Sequence, residues 1–196
     1  RGRLTDDIAT TLVIWDLQLV AAGEAVAGAR ASLIEVIRPV VADYYARVAG
    51  ANEPVELTYE APWRAAGLAN ALQEQRSDEL RRGTTLVGPH RDELQIQLNG
   101  LAARTHASQG EQRSLALALR LAMHQHITAT THDAPLVLLD DVFSELDEGR
   151  AQRLVACLPD AQIVLTSATG TVPAGVQPGT SLELFGGSLV PDTADG

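Results

Sequence analysis

The sequence contains no lysine: all fifteen of its basic residues are arginine. Its 196 residues therefore exclude any phosphate-binding loop built around a lysine. A single cysteine, Cys157, excludes an internal disulfide framework and suits a reducing, cytoplasmic setting. Its apolar neighbours Leu154, Val155 and Leu158 predict a small buried side chain rather than a reactive thiol. Aromatic residues are scarce, with two Trp, three Tyr and two Phe, so the core must be built from Leu, Val, Ile and Ala. Positive charge is short as well. A formal net charge of −10 argues against a generally adhesive nucleic-acid binder. It leaves room for a local basic patch from Arg76, Arg81, Arg82, Arg91 and Arg104, although a group such as Arg76, Arg81 and Arg82 is more often a solvated helix face than a DNA contact. No uninterrupted apolar run approaches bilayer-spanning length, and the opening residues Arg1 to Asp7 lack the apolar core of a signal peptide. No membrane partner is expected. The chain starts as though in the middle of a longer protein.

What is present falls into two textures. Residues 1–83 are mostly helical in pattern, 84–190 alternate strand and helix as an α/β head, and 191–196 form a tail. Leu12, Trp15, Leu19 and Val20 recur at helical spacing, as do Leu33, Ile37 and Val41. Gly23 or Gly28 is expected to separate two helices, and Pro39 to kink or end the second. Val55–Tyr59 reads as a short strand. Residues 64–82 read as a helix with Leu68, Leu72 and Leu80 inward and Gly83 as its stop. Thr84–Val87 is strand-like, and Leu94–Leu98 alternates cleanly into the hairpin turn Asn99-Gly100, with 101–106 returning. A long helix is expected from Ser108 to about Thr131. Buried strands follow at 135–140 and 162–166, with a helix at 148–158 and a late strand around Leu182–Phe185.

Two stretches carry candidate chemistry. In "PLVLLDDVFSELDEG" (135–149) the run Leu136–Leu139 suits a strand covered on both faces, which places Asp140 at its carboxyl end, where ligands bind in open α/β sheets. A carboxylate there is able to hold magnesium, and Asp141 beside it to polarise water. Both acids also suffice merely to cap the next element. In "ASQGEQRSLALALRLA" (107–122), Ser108 and Glu111 form a capping box, which a purely structural role explains. It does not explain Gln109-Gly110, because glycine costs about 1 kcal/mol in a helix. Glycine does permit close approach of a phosphate to the amides of a helix start. The histidines lack metal-ligand spacing: His124 and His126 are two apart on a helix, and His90, His106 and His132 lie in separate segments.

A serine-glycine helix start, then an apolar strand ending Asp-Asp, then Ser144-Glu145-Leu146-Asp147, is the order of signature motif, Walker B strand and D-loop in ABC-type ATPase heads. More narrowly, "GPHRDEL", "SQGEQRSLALALRLA" and "LLDDVFSELDEGR" resemble the RecF family of bacterial DNA replication and repair proteins. The likeness covers residues 84–169 well, and 1–83 resemble the end of that family's arm. It implies an α/β fold, the C-terminal lobe of a P-loop NTPase of ABC type with strand-helix-strand units, preceded by part of a mainly helical arm. It implies ATP and Mg2+ as cofactors, with Asp140 as metal ligand and Asp141 as the catalytic carboxylate. Ser108, Gln109, Gly110 and Glu111 would meet ATP held by a partner subunit. Ser144 and Asp147 would belong to the loop that communicates across the dimer. Thr166 and Ser167 stand where most ABC proteins carry a switch histidine. The implied protein is a weak DNA-dependent ATPase that dimerises with ATP at single-strand/double-strand junctions or gaps. It would assist recombinase loading with recombination mediators, in DNA repair, recombination and the SOS response. The missing lysine loop would lie before the arm, leaving this chain inactive alone. The competing expectation is a non-enzymatic interaction module that keeps an ATPase-like fold for stability only.

Overall fold

The computed structural model describes residues 6–170 and 172–191. They form two compact units, one ending at Ala134 and the other beginning at Pro135.

The first unit is organised on one helix, α1 (Asp6–Ala49). It is unbroken, so neither Gly23 nor Gly28 separates two helices, and Pro39 lies inside it. Buried Ala27, Ile34, Ile37, Val41, Tyr45 and Val48 keep one helical face continuous through the proline. Packing of that face outweighs a proline penalty of about 3 kcal/mol. Gly23 is a contact point: a Cβ there would stand 2.5 Å from Leu68 Cδ2. Beyond α1, strand β1 (Val55–Glu60) pairs antiparallel with β2 (Glu93–Leu98), and β2 with β3 (Leu101–Ala102). Val55 opposes Leu98 in that register, and both are buried with Leu57. Between β1 and β2 lie a 3-10 turn (Pro62–Ala65) and helix α2 (Leu68–Arg82), which stops at left-handed Gly83. Ala27, Trp63, Leu68, Ala71 and Leu72 make one cluster. Helices α3 (Ala103–His106) and α4 (Gln109–Thr131) complete the unit, with α4 packed against α1.

Three local expectations are corrected here. Leu80 is 41% exposed and Glu79 is the buried residue, because Leu80 lies about 100° further round the helix. Thr84–Val87 is no strand: the Glu79 carboxylate takes the Leu86 N–H at 2.7 Å, and the Thr85 carbonyl accepts from Arg91 at 3.4 Å. The return strand ends at Ala102, after which the Gln112 amide reaches the carbonyls of Ala103 at 3.4 Å and Ala107 at 2.9 Å, holding a helical turn.

Although no run in α1 is uninterrupted, its Thr11–Ala49 stretch is long and apolar enough, by length and composition, to cross a bilayer. Four of its charged groups are nevertheless tied to other parts of the unit. Asp16 pairs with Arg76, Glu24 accepts the Leu68 N–H, and Arg30 and Arg38 donate to the Pro89 and Leu57 carbonyls. Those bonds fit a helix packed within a folded unit.

The second unit is a strand-helix-strand motif plus a hairpin. Strand β4 (Val137–Asp140) runs parallel to β5 (Ile163–Thr166), with a 3-10 turn (Val142–Glu145) and helix α5 (Glu148–Cys157) between them. Leu139, Leu154 and Cys157 are buried, the cysteine as expected. The strand is not covered on both faces, since Leu138 is 67% exposed. A single crossover helix supplies one layer, so it shields one side. Strand β6 (Leu182–Phe185) pairs with β7 (Ser188–Pro191) across Gly186-Gly187, both at positive φ. The sequence reading missed β7, although a Gly-Gly turn between apolar runs is a hairpin signal.

Candidate functional site

The first candidate lies at the start of α4. Ser108 is its N-cap, with extended backbone, and its Oγ accepts the Glu111 N–H at 3.4 Å. Glu111 returns a carboxylate oxygen to the Ser108 N–H at 2.6 Å, closing the capping box. The cap uses a lone pair of Ser108 and leaves its O–H to donate, so capping and anion contact are compatible. Ser108 and Gln109 are exposed, and Gly110 is half-buried between them and the helix body. One turn on, fully buried Ser114 donates to the Gly110 carbonyl at 2.9 Å. Glycine, first-turn amides and a free hydroxyl form a concentrated donor surface of the kind that receives phosphate.

The second candidate is the carboxyl end of β4. Asp140 is exposed and lies opposite Thr166 in the parallel ladder. The Thr166 hydroxyl donates to Asp140 Oδ1 at 2.6 Å and accepts the Asp141 N–H at 3.0 Å. Asp141 has φ 49 and ψ 26, a left-handed conformation that costs about 1 kcal/mol for a residue with a Cβ. Its carboxylate accepts from Ser144 Oγ at 2.9 Å and from the Ala168 N–H at 3.4 Å. These bonds hold the turn that follows the strand. Asp147 caps α5 by accepting the Arg150 N–H at 2.9 Å and pairs with that guanidinium at 3.3 Å. A cleft of about 390 Å3 opens here, lined by Asp141, Ser144, Leu146, Gln152, Thr166 and Ser167 among others.

The expected site residues thus fall into two groups. Ser108, Gln109, Gly110 and Glu111 share one helix start in the first unit. Asp140, Asp141, Ser144, Asp147, Thr166 and Ser167 gather around one strand end in the second. Sequence reasoning had no account of the Ala168 amide or of the bond from Thr166 to Asp140. The signal for the latter was the register, since two four-residue parallel strands end together at those residues. Among the described residues, no group of three or more His, Cys, Asp or Glu side chains is placed to hold a metal unaided. In the basic group, Arg76 is committed to Asp16 and Arg81 to Asp78.

No protein-family model matches the chain. It is 43% identical over 181 residues to the DNA replication and repair protein RecF of Frankia alni, covering 84% of this chain and 47% of that protein. Against RecF of Streptomyces avermitilis it is 38% identical over 190 residues, covering 92% and 51%. A solved structure of the recombination mediator protein RecF with ATP in the RecFOR pathway superposes with TM-score 0.78 at 26% identity, over 97% of this chain and 52% of that one. A second structure, of the recombination mediator protein RecF with ATPrS, superposes with TM-score 0.77 and shares the fold at 24% identity, over 93% of this chain and 50% of that one. The chain spans about half the length of the relatives it matches. Its mixed helix-and-sheet architecture is that of the ABC-type RecF ATPase. The chain belongs to the RecF family of DNA replication and repair proteins.

Proposed function

We propose that this chain is the signature and Walker B portion of an ATP-dependent, DNA-binding repair protein that dimerises on gapped DNA and assists recombinase loading. One observation carries the reading. The same chain holds a capped helix start whose serine hydroxyl, beside glycine, keeps its proton to donate, and a strand end where, among the described residues, one carboxylate oxygen has no protein partner. A lysine-bearing phosphate loop would come from the half of the relatives' length that this chain does not span.

The residues fit the implied ligands. Magnesium is commonly held by one or two carboxylates plus water and phosphate oxygens, and Asp140 offers one such ligand without a protein cage. When bound, the ion would supply positive charge against the phosphate oxygens of ATP. Asp140 would hold that ion on its own head, and Asp141, fixed by Ser144 and Ala168, would orient or deprotonate the attacking water. Ser108 with Gln109, Gly110 and Glu111 would donate to the γ-phosphate of ATP on the partner head. Ser144 and Asp147 would sit at the dimer seam. Thr166, the last residue of β5, and Ser167 after it would stand at the nucleotide end of that strand, where most ABC proteins carry a switch histidine. DNA, a second copy and recombination mediators are the partners, in the cytoplasm. DNA contacts would lie mainly outside this acidic chain.

The test uses the intact protein that carries this sequence. ATP-dependent dimerisation, read by sedimentation, should be lost in Ser108→Arg, and turnover should be lost in Asp140→Asn. The isolated chain should turn over no ATP. Unchanged dimerisation and turnover in both variants would instead identify a non-enzymatic interaction module, and robust turnover by the isolated chain would contradict the division of the site.

A further inference from the structure

The Thr166 hydroxyl has one hydrogen, and it is committed: it lies on Asp140 Oδ1 at 2.6 Å. One of the oxygen's lone pairs receives the Asp141 N–H at 3.0 Å. The same atom therefore ties together the side chain of one acid and the backbone of the next. This bond is not local in sequence: 26 residues separate Thr166 from Asp140, and the parallel ladder brings them level. A hydroxyl so engaged has no proton to offer a phosphate. What it does instead is fix one oxygen of Asp140, leaving Oδ2 without a protein partner among the described residues, and brace Asp141 in its left-handed turn. Ser167 differs. Its hydroxyl is half-buried on the same cleft and meets another hydroxyl, Thr169 Oγ1, at 3.2 Å, a contact in which either atom can donate.

We infer that Thr166 is a positioning residue that orients the metal-binding carboxylate of Asp140, and that sensing of the terminal phosphate falls to Ser167. The inference rests on the nucleotide-site reading above and sharpens it, because it separates two neighbouring hydroxyls by task. Thr166 acts through Asp140 and touches neither nucleotide nor metal. A partner that orients a metal ligand typically contributes 10–100-fold to metal affinity, on the order of what its removal should cost here.

The experiment titrates Mn2+, as a paramagnetic probe for the metal, into the intact protein in the presence of a non-hydrolysable ATP analogue or ADP, with bound metal read by EPR. Thr166→Val should weaken Mn2+ binding about tenfold or more with both nucleotides, and Thr166→Ser should restore it to within about twofold of wild type. In an Asp140→Asn background, Thr166→Val should change nothing further, since the group it orients is gone. Nucleotide affinity measured in EDTA should be unaffected. Ser167→Ala should keep Mn2+ affinity and lose the preference for the ATP analogue over ADP. Thr166→Ala runs in parallel in case the valine variant misfolds, with far-UV circular dichroism as the check. Wild-type Mn2+ affinity in both deletion variants overturns the inference alone. So does a selective loss of ATP-analogue binding in EDTA, which would mean that Thr166 touches the phosphate. Failure of the wild type to bind nucleotide at all overturns the proposed function together with it.

Discussion

The indole N–H of Trp63 donates to Asp92 Oδ1 at 2.7 Å, joining the 3-10 turn after β1 to the loop that enters β2. The other oxygen of Asp92 accepts from the Tyr59 hydroxyl, so one carboxylate satisfies two partly buried donors. Asp92→Ala strands both and should destabilise the protein by about 1–3 kcal/mol in urea denaturation. Asp92→Asn keeps one acceptor and should fall between that variant and wild type.

The same node gives a pH dependence. The Tyr59 phenol is held above its ordinary value, first by burial and then by donation to Asp92, with Arg30 opposing. An unfolded tyrosine loses its proton near pH 10, whereas the folded one retains it to higher pH. The folded state therefore binds more protons in that window, and stability should fall as pH rises from about 10 toward the raised value. Tyr59→Phe should flatten that slope, measured by denaturation at a series of pH values.

Two glycines of one helix should respond with opposite signs. A Cβ on Gly23 would lie 2.5 Å from Leu68 Cδ2 and 3.3 Å from Pro89 Cδ, and Leu68 is fully buried with little room to yield. Gly23→Ala should cost about 1–3 kcal/mol through overpacking. A Cβ on Gly28 meets nothing within 4 Å, so Gly28→Ala should stabilise by about 0.5–1 kcal/mol, from helix propensity alone. Thermal unfolding of the two variants checks both.

Ser108 joins a capping role to a proposed ligand role, and Ser108→Asp separates them. Aspartate caps as well as serine, so stability should stay within about 0.5 kcal/mol of wild type. Its charge would repel a phosphate, so ATP-dependent dimerisation of the intact protein should disappear. Ser108→Ala should do the reverse in part, losing about 1 kcal/mol of stability while dimerisation weakens less.

How far the sequence carried depended on the distance between interacting residues. The Ser108–Glu111 box and the Asn99-Gly100 turn are complete within four residues, and both stand as expected, the turn with φ 53 and 73. Family likeness supplied the fold, which the RecF structures share. Gly23 and Gly28 look alike in isolation, and only Leu68, 45 positions further on, makes one of them a contact inside an unbroken helix. Thr84–Val87 has strand-like residues, but the Glu79 side chain claims its amide first. For the candidate site, the sequence brought Asp140 and Asp141 to notice as neighbours, and family likeness added Thr166. Which hydroxyl faces which carboxylate depends on strand pairing, and pairing is not written in any one segment.

That pairing makes the site a matter of counting. Asp140 meets Thr166 because β4 and β5 end level, with the Val137 N–H on the Gln162 carbonyl at 3.0 Å setting the first rung. Slide β5 by one residue and Leu165 or Ser167 stands there instead, while the threonine turns to the opposite face. The short link from Leu158 to Gln162 thus acts as a spacer whose length, more than its composition, decides which side chain stands against Asp140. Substitutions in that link leave the chemistry in phase. A single added or missing residue puts it out of phase without altering any residue of the site.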